Sequence, residues 1–194
     1  MSEVAPGQRA RPTPRNVGVT HMIDATIELL HEQPVDRITV RDVAERAGHH
    51  HRFVAAWFGG KAGLFRAVFD HLIRSLPPAG EAVTESGDLH PDVELIVHLL
   101  NWLVANDPDG FADRTETPLI DGMAAMYADL GLEPDEARLF AQVLIAAGAG
   151  LVLFRDVLDV EDGGLRRMYE LQLAMVAALT DQRRTSGTGG DAVG

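Results

Sequence analysis

The chain has 194 residues, 46% of them hydrophobic and 24% charged, with 17 basic against 29 acidic side chains and a formal charge of −12. This composition excludes wholesale disorder, and the length suits one compact body or two small domains around a proper core. With no cysteine there is no disulfide, no thiolate metal site and no cysteine nucleophile.

An acidic total argues against a nucleic-acid partner, but the charge is unevenly spread. The first 76 residues hold ten basic and eight acidic side chains, a balance of +2, with six of the eight histidines. The remainder holds seven bases against twenty-one acids, or −14. The opening Met1-Ser2-Glu3-Val4 lacks a charged-then-apolar pattern, so no export signal is expected and the setting is taken as cytoplasmic. The longest nearly apolar run, 143–154, is twelve residues, short of a bilayer crossing, so no membrane partner is expected.

Taken in chain order, Pro6, Gly7, Pro12 and Pro14 make 1–16 a poor helix, expected as a flexible, mildly basic arm. Met22, Ile23, Ile27, Leu29 and Leu30 recur near helical spacing and predict a helix ending before Pro34. Short helices are predicted over 40–47 and 51–58 and a longer one over 61–76. Pro77-Pro78-Ala79-Gly80 through Gly87-Asp88 reads as the internal boundary. Helices follow over 91–106, 117–130, 134–159 and 165–182, then a Gly/Ser/Thr tail. The fold class is all-α, organised as arm 1–16, N-terminal head 17–76, helical body 77–183 and flexible tail 184–194.

The most informative window is 38–61. Thr39 is a good N-cap with Asp42 three residues on, and Val43 and Ala47 share a face. Gly48 stands where a helix ends in a left-handed residue. A second helix begins near His50, with Val54 and Phe58 inside and Phe53 and Trp57 on the adjoining side. Short helix, glycine turn, short helix is the arrangement of a helix–turn–helix, whose second helix enters the major groove.

Over these residues the chain resembles the TetR family of transcriptional regulators. The likeness rests on Ile38-Thr39-Val40-Arg41-Asp42-Val43-Ala44-Glu45-Arg46-Ala47-Gly48, then Val54, Phe58, Gly59-Gly60-Lys61 and Leu64, after a helix ending Leu29-Leu30. It spans about residues 17–69. His49 and His50 stand where the family usually has an aliphatic and a hydroxyl residue. Arg52 replaces a small residue, Ala55 an aromatic and Trp57 a histidine, so the scaffold is kept and the reading surface is unusual.

The resemblance implies that Thr39 and Lys61 hold phosphates and that Trp57 offers its indole N–H to another. Arg41 would reach guanine O6 and N7. His51, Arg52 and Phe53 would face base edges, Phe53 against a thymine methyl. Ala55 would make a methyl contact, and His50 would turn a polar side chain to the groove. Plainer readings stand beside these: the histidines as a solvated cap, Trp57 as core, and Arg41 and Arg46 as exposed helix charges. Three consecutive histidines diverge around a helix and lack the i, i+4 spacing of paired ligands, so no metal site is expected.

In the acidic body, Leu139, Phe140, Val143, Leu144, Ala147, Leu151, Phe154 and Leu158 cover more than one helical stripe. Leu165, Met168, Gln172, Met175 and Leu179 step by three and four, with a second stripe of Tyr169, Leu173 and Val176. Two doubly apolar helices need more cover than one subunit supplies, which predicts a homodimer through a four-helix bundle. Its seam would hold Val143, Ala147, Leu151 and Phe154 with Met168, Gln172, Met175 and Leu179. The resemblance implies the same pairing, and a largely apolar effector pocket among Trp102, Phe111, Met123, Met126 and Tyr127, with His98 and Asn101 as polar anchors.

The expected function is a homodimeric regulator that binds a palindromic operator in double-stranded DNA, a repressor released by an unknown small, largely apolar ligand. One rival is a small all-α enzyme, but no nucleophile with its base, phosphate loop or ligand cluster is recognisable, and no cofactor is expected. Gly148-Ala149-Gly150 has no strand before it, and the acidic run Asp107, Asp109, Asp113 and Glu116 reads as a solvated loop. The other rival is a helical dimerisation module whose head no longer binds DNA.

Overall fold

Proline and glycine punctuation divides the chain into helices whose buried positions step by three and four. The computed structural model describes residues 15–76, 90–112, 117–161 and 163–187, without the side chains of 111, 112, 186 and 187. The arm to residue 14, the boundary segment 77–89, Asp113, Glu116 and the tail from 188 lie outside the described residues. These form helices α1 (Arg15–Glu32), α2 (Val40–Arg46), α3 (Arg52–Phe58), α4 (Lys61–Ser75), α5 (Pro91–Asn106), α6 (Asp109–Ala112), α7 (Pro118–Asp129), α8 (Pro134–Leu153) and α9 (Gly164–Gly187). The all-α class holds. Two compact units part inside α4, between Val68 and Phe69.

In the head, α1 buries Met22, Ala25, Thr26, Leu29 and Leu30 along one side. Pro34 cannot continue that helix, and a 3-10 turn over Val35–Arg37 leads to Ile38, extended and fully buried. Seven-residue helices such as α2 and α3 are marginal by propensity alone and depend on caps and packing. Val43, Ala44, Val54, Leu64, Phe65 and Val68 supply that packing, each almost fully buried.

In the body, α7 and α8 form an antiparallel pair joined through Gly131, whose N–H donates to the Ala128 carbonyl while Leu132 N–H reaches Tyr127. Met123, Tyr127, Leu132, Ala137, Ala141, Leu144 and Val176 make the core beneath α9, and Ile96, Leu99 and Leu103 are the buried residues of α5. Arginine–carboxylate pairs bind the helix ends together: Arg138 with Asp121 at 2.7 Å, and Arg183 on both oxygens of Glu136 at 2.6 and 2.7 Å.

Three expectations change. The helix predicted over 134–159 ends at Leu153, and the chain turns through Asp159 at φ +50. Asp156, Asp159 and Glu161 would oppose the negative end of a longer helix, and aspartate tolerates the left-handed turn. Helix α9 instead continues past 182 to Gly187, with the Thr185 hydroxyl folded back onto the Asp181 and Gln182 carbonyls. Finally, α8 is long and apolar enough to cross a membrane by length and composition, although its longest uninterrupted apolar run is shorter. Only 22% of that stretch is buried within one copy, because α5, α7 and α9 cover just one side of it.

Candidate nucleic-acid interface

Helix α2 is fixed at both ends by its own sequence. Thr39 and Asp42 close a reciprocal cap: the Asp42 N–H donates to the threonine hydroxyl at 3.2 Å, and the Thr39 N–H donates to the carboxylate at 2.9 Å. That backbone donor, with the hydroxyl, holds the Asp42 carboxyl below its usual range. At the other end Gly48 sits at φ +69, its N–H on the Glu45 carbonyl and the His49 N–H on Ala44, as the glycine turn predicted. Arg41 is exposed on this helix. Arg46 is not available in the same way. Its guanidinium grips both Glu32 oxygens at 2.7 and 2.9 Å and Glu28 at 3.3 Å, tying α2 to α1.

The three histidines part company. The His49 ring turns inward, stacked on His21 of α1 at 5.6 Å and edge-on to Trp57 at 5.7 Å, and its Nε2 is buried with no hydrogen-bond partner. His50 and His51 are exposed and stacked on each other at 4.3 Å. The His50 Nδ1 accepts the Arg52 N–H at 3.2 Å, satisfying one of the free donors that begin α3. Among the described residues no group of three or more histidines and carboxylates is placed to hold a metal ion.

On α3, Val54 is the fully buried residue, while Arg52 and Ala55 are exposed. Phe53 and Trp57, four apart, stack face to face with centroids 4.6 Å apart and planes within 14°. The Arg52 guanidinium lies over the Phe53 ring at 5.1 Å. The benzo edge of Trp57 enters α1 at Gly18, where a Cβ would meet Cζ3 at 2.7 Å. Trp57 therefore packs as a rim residue of the head as well as standing near the reading surface. Lys61, at the start of α4, has its ammonium over the Phe65 ring at 5.0 Å. Burial pulls its pKa down, while Asp36 and Asp42 favour the charge.

Of the expected reading residues, Thr39, Arg41, His50, His51, Arg52 and Ala55 are exposed, and Phe53, Trp57 and Lys61 are half-buried. The Gly18 notch, the His21–His49 stack and the Arg46 clamp escaped the sequence reading. A glycine inside an otherwise regular helix was the one usable signal, since it costs stability unless something must come close.

The expected effector residues separate. Met123 and Tyr127 are buried in the body core, and Met126 packs against it, its sulfur accepting the Tyr169 hydroxyl at 3.6 Å. His98 and Asn101 are exposed, Trp102 is half-buried, and the Phe111 side chain lies outside the described residues. The Tyr127 hydroxyl is buried without a hydrogen-bond partner, and burial pushes its pKa up to about 12. Of the expected seam, Val143, Ala147, Phe154 and Met175 are exposed, while Leu151 and Leu179 are half-buried. Met168 packs on the core of its own subunit, and Gln172 donates to the Phe140 carbonyl at 3.0 Å. Leu139 and Leu171, which the seam left out, are more than half exposed.

Residues 22–68 match the model of a family described as bacterial regulatory proteins, tetR family. Among solved structures, the chain is similar to the TetR family repressor AlkX from Dietzia sp., described as implicated in biodegradation of n-alkanes. The two are 22% identical over 92% of this chain and 98% of that one, with a TM-score of 0.44. No curated protein matches the chain.

Proposed function

We propose that the chain, whose residues 22–68 match the model described as bacterial regulatory proteins, tetR family, acts in the cytoplasm as a homodimeric repressor. It occludes a palindromic operator and leaves it when a small, largely apolar molecule enters the body. The observation that carries the reading is the exposure of Arg41, His50, His51 and Arg52 on a helix–turn–helix whose caps and turn are closed by local bonds. Arg41 and Arg52 supply forked donors for guanine edges, and Thr39 and Lys61 supply phosphate contacts.

Two further observations support the remaining parts. Leu139 and Val143 on α8 and Leu171 and Met175 on α9 are large, apolar and exposed within one copy, and a second copy would cover both helices. Two reading helices about one DNA turn apart would then meet two half-sites. In the body core, the unpartnered Tyr127 hydroxyl sits among apolar side chains. An effector bearing one acceptor would be favoured there, and would shift head spacing by binding one arrangement better than the other.

Selection from random duplexes with the purified protein tests the reading. Enrichment of a palindrome with steeply salt-dependent affinity supports it. No enrichment at low salt would refute it and leave the dimerisation-module alternative.

A further inference from the structure

We propose that Arg52 is a pre-aimed specificity residue, its guanidinium held by an aromatic stack that runs through Phe53 and Trp57 into the Gly18 notch of α1. This rests on the DNA-binding reading above and adds which residue discriminates and what aims it. Each link is a contact: guanidinium over Phe53 at 5.1 Å, Phe53 on Trp57 at 4.6 Å, and Trp57 against the bare backbone of Gly18. His49 closes the edge of the stack, T-shaped to Phe53 at 6.5 Å and to Trp57 at 5.7 Å, and is itself stacked on His21.

The stack is more than the head's core. Met22, Ile38, Val43, Val54, Leu64, Phe65 and Val68 already form an interior at 0–1% exposure. Phe53 and Trp57 sit on its rim, half-buried. Large rings there, admitted by a glycine in the first turn of α1, bring the helix no propensity gain. What they do is limit the rotamers of a long exposed side chain. An arginine in solvent loses much of that freedom on docking, whereas a guanidinium already lying on a ring has less to lose. The plane that an aromatic face imposes also orients the fork, and a bidentate guanine contact depends on that orientation. In this arrangement Gly18, Phe53 and Trp57 are positioning residues and Arg52 touches the base.

The test uses the full-length protein and its selected operator, measuring affinity for every single base-pair change in one half-site. Arg52→Ala should cut discrimination at one base pair about ten-fold or more. Trp57→Leu and Phe53→Leu should each cut discrimination several-fold at that same pair. A loss of the Trp57 phosphate contact would fall equally on every position, so the several-fold effect is read at that pair relative to all other base pairs. Arg52→Ala combined with Trp57→Leu should be no worse at that pair than Arg52→Ala alone, and Trp57→Phe should restore discrimination. Phe53→Leu keeps an apolar side chain at the rim, so it decides the matter if Trp57→Leu unfolds. The inference is overturned if the leucine variants weaken all duplexes alike, act at another base pair, or add to Arg52→Ala. An operator selected normally but read without Arg52 removes this inference alone, whereas failure to select any duplex removes the DNA-binding reading with it.

Discussion

Ten large apolar side chains among the described residues stay exposed, and only one of them, Val17, belongs to the head; the other nine lie in the body. The head carries two seven-residue helices, α2 and α3, that are marginal singly and are closed by the Thr39–Asp42 box, the Gly48 turn, the Arg46 clamp and the rim of rings. The body ends in two long helices, α8 and α9, that each carry a second apolar side exposed in one copy. The head offers a polar, exposed surface on a closed scaffold, and the body offers apolar surface that one chain leaves uncovered.

The sharpest way to break this comparison is to charge the uncovered face. Val143→Asp alters a side chain 54% exposed in one copy, so folding of the subunit should survive. If a second copy covers it, sedimentation velocity should show monomer, and operator affinity should fall 100-fold or more with loss of the paired half-site contacts. A variant that remains dimeric and binds normally would place the interface elsewhere. The next effect belongs to the head. Gly48→Val puts a β-branched residue at φ +69 and should cost about 2 kcal/mol in denaturant unfolding. A Cβ added there meets nothing within 4 Å, so the loss would report backbone strain rather than a clash at that atom.

The same contrast decides what was legible in the sequence. The head's helix–turn–helix was readable because caps and turns are local: Thr39, Asp42 and Gly48 act within a few residues, and spacing alone places them. The rim of the head was not. Nothing in the spacing of His21, His49 and Trp57 says that their rings meet, and Gly18 shows its purpose only once Trp57 is seen against it. In the body, apolar periodicity gave the helices and their double faces. It could not choose which stripe faces its own core: Met168 packs on the core of its own copy and Gln172 bonds to the Phe140 carbonyl, while Leu139 and Leu171 are exposed. The end of α8 was missed because apolar spacing continues through Leu158 while the carboxylates and the turn at Asp159 stop the helix.

A smaller effect tests whether the body core is waiting for a polar group. The Tyr127 hydroxyl is buried and unpartnered, whereas most buried hydroxyls are bonded. Tyr127→Phe removes the orphan at almost constant shape and should raise stability by about 1 kcal/mol in the effector-free protein. It should also weaken the response to an effector that uses that hydroxyl. A loss of stability on this substitution would mean that the hydroxyl already has a partner, such as an ordered water, in solution.

The smallest expected effect is electrostatic and lies in the head. The Glu32 carboxyl is held below its usual range by its hydrogen bonds from Arg46, and Asp42 by the N–H and hydroxyl of Thr39. Because folding lowers both, the unfolded chain binds more protons in and just below the ordinary carboxylate range, near pH 4. The stability these groups contribute is therefore complete above that range and is lost as pH falls through it. All partners of the Arg46 clamp are exposed, so salt screens it and the effect is modest. The chain carries one tryptophan on each side of the division, Trp57 in the head and Trp102 in the body. Trp102→Phe leaves Trp57 as the reporter of head unfolding in the whole protein. In that background the stability gap between Arg46 and Arg46→Met should narrow as pH falls from 7 to below 4, because protonated Glu32 no longer attracts the guanidinium. A gap that stays constant with pH would assign Arg46 to packing of its alkyl stem, and the head would then be closed at that point by contact rather than by charge.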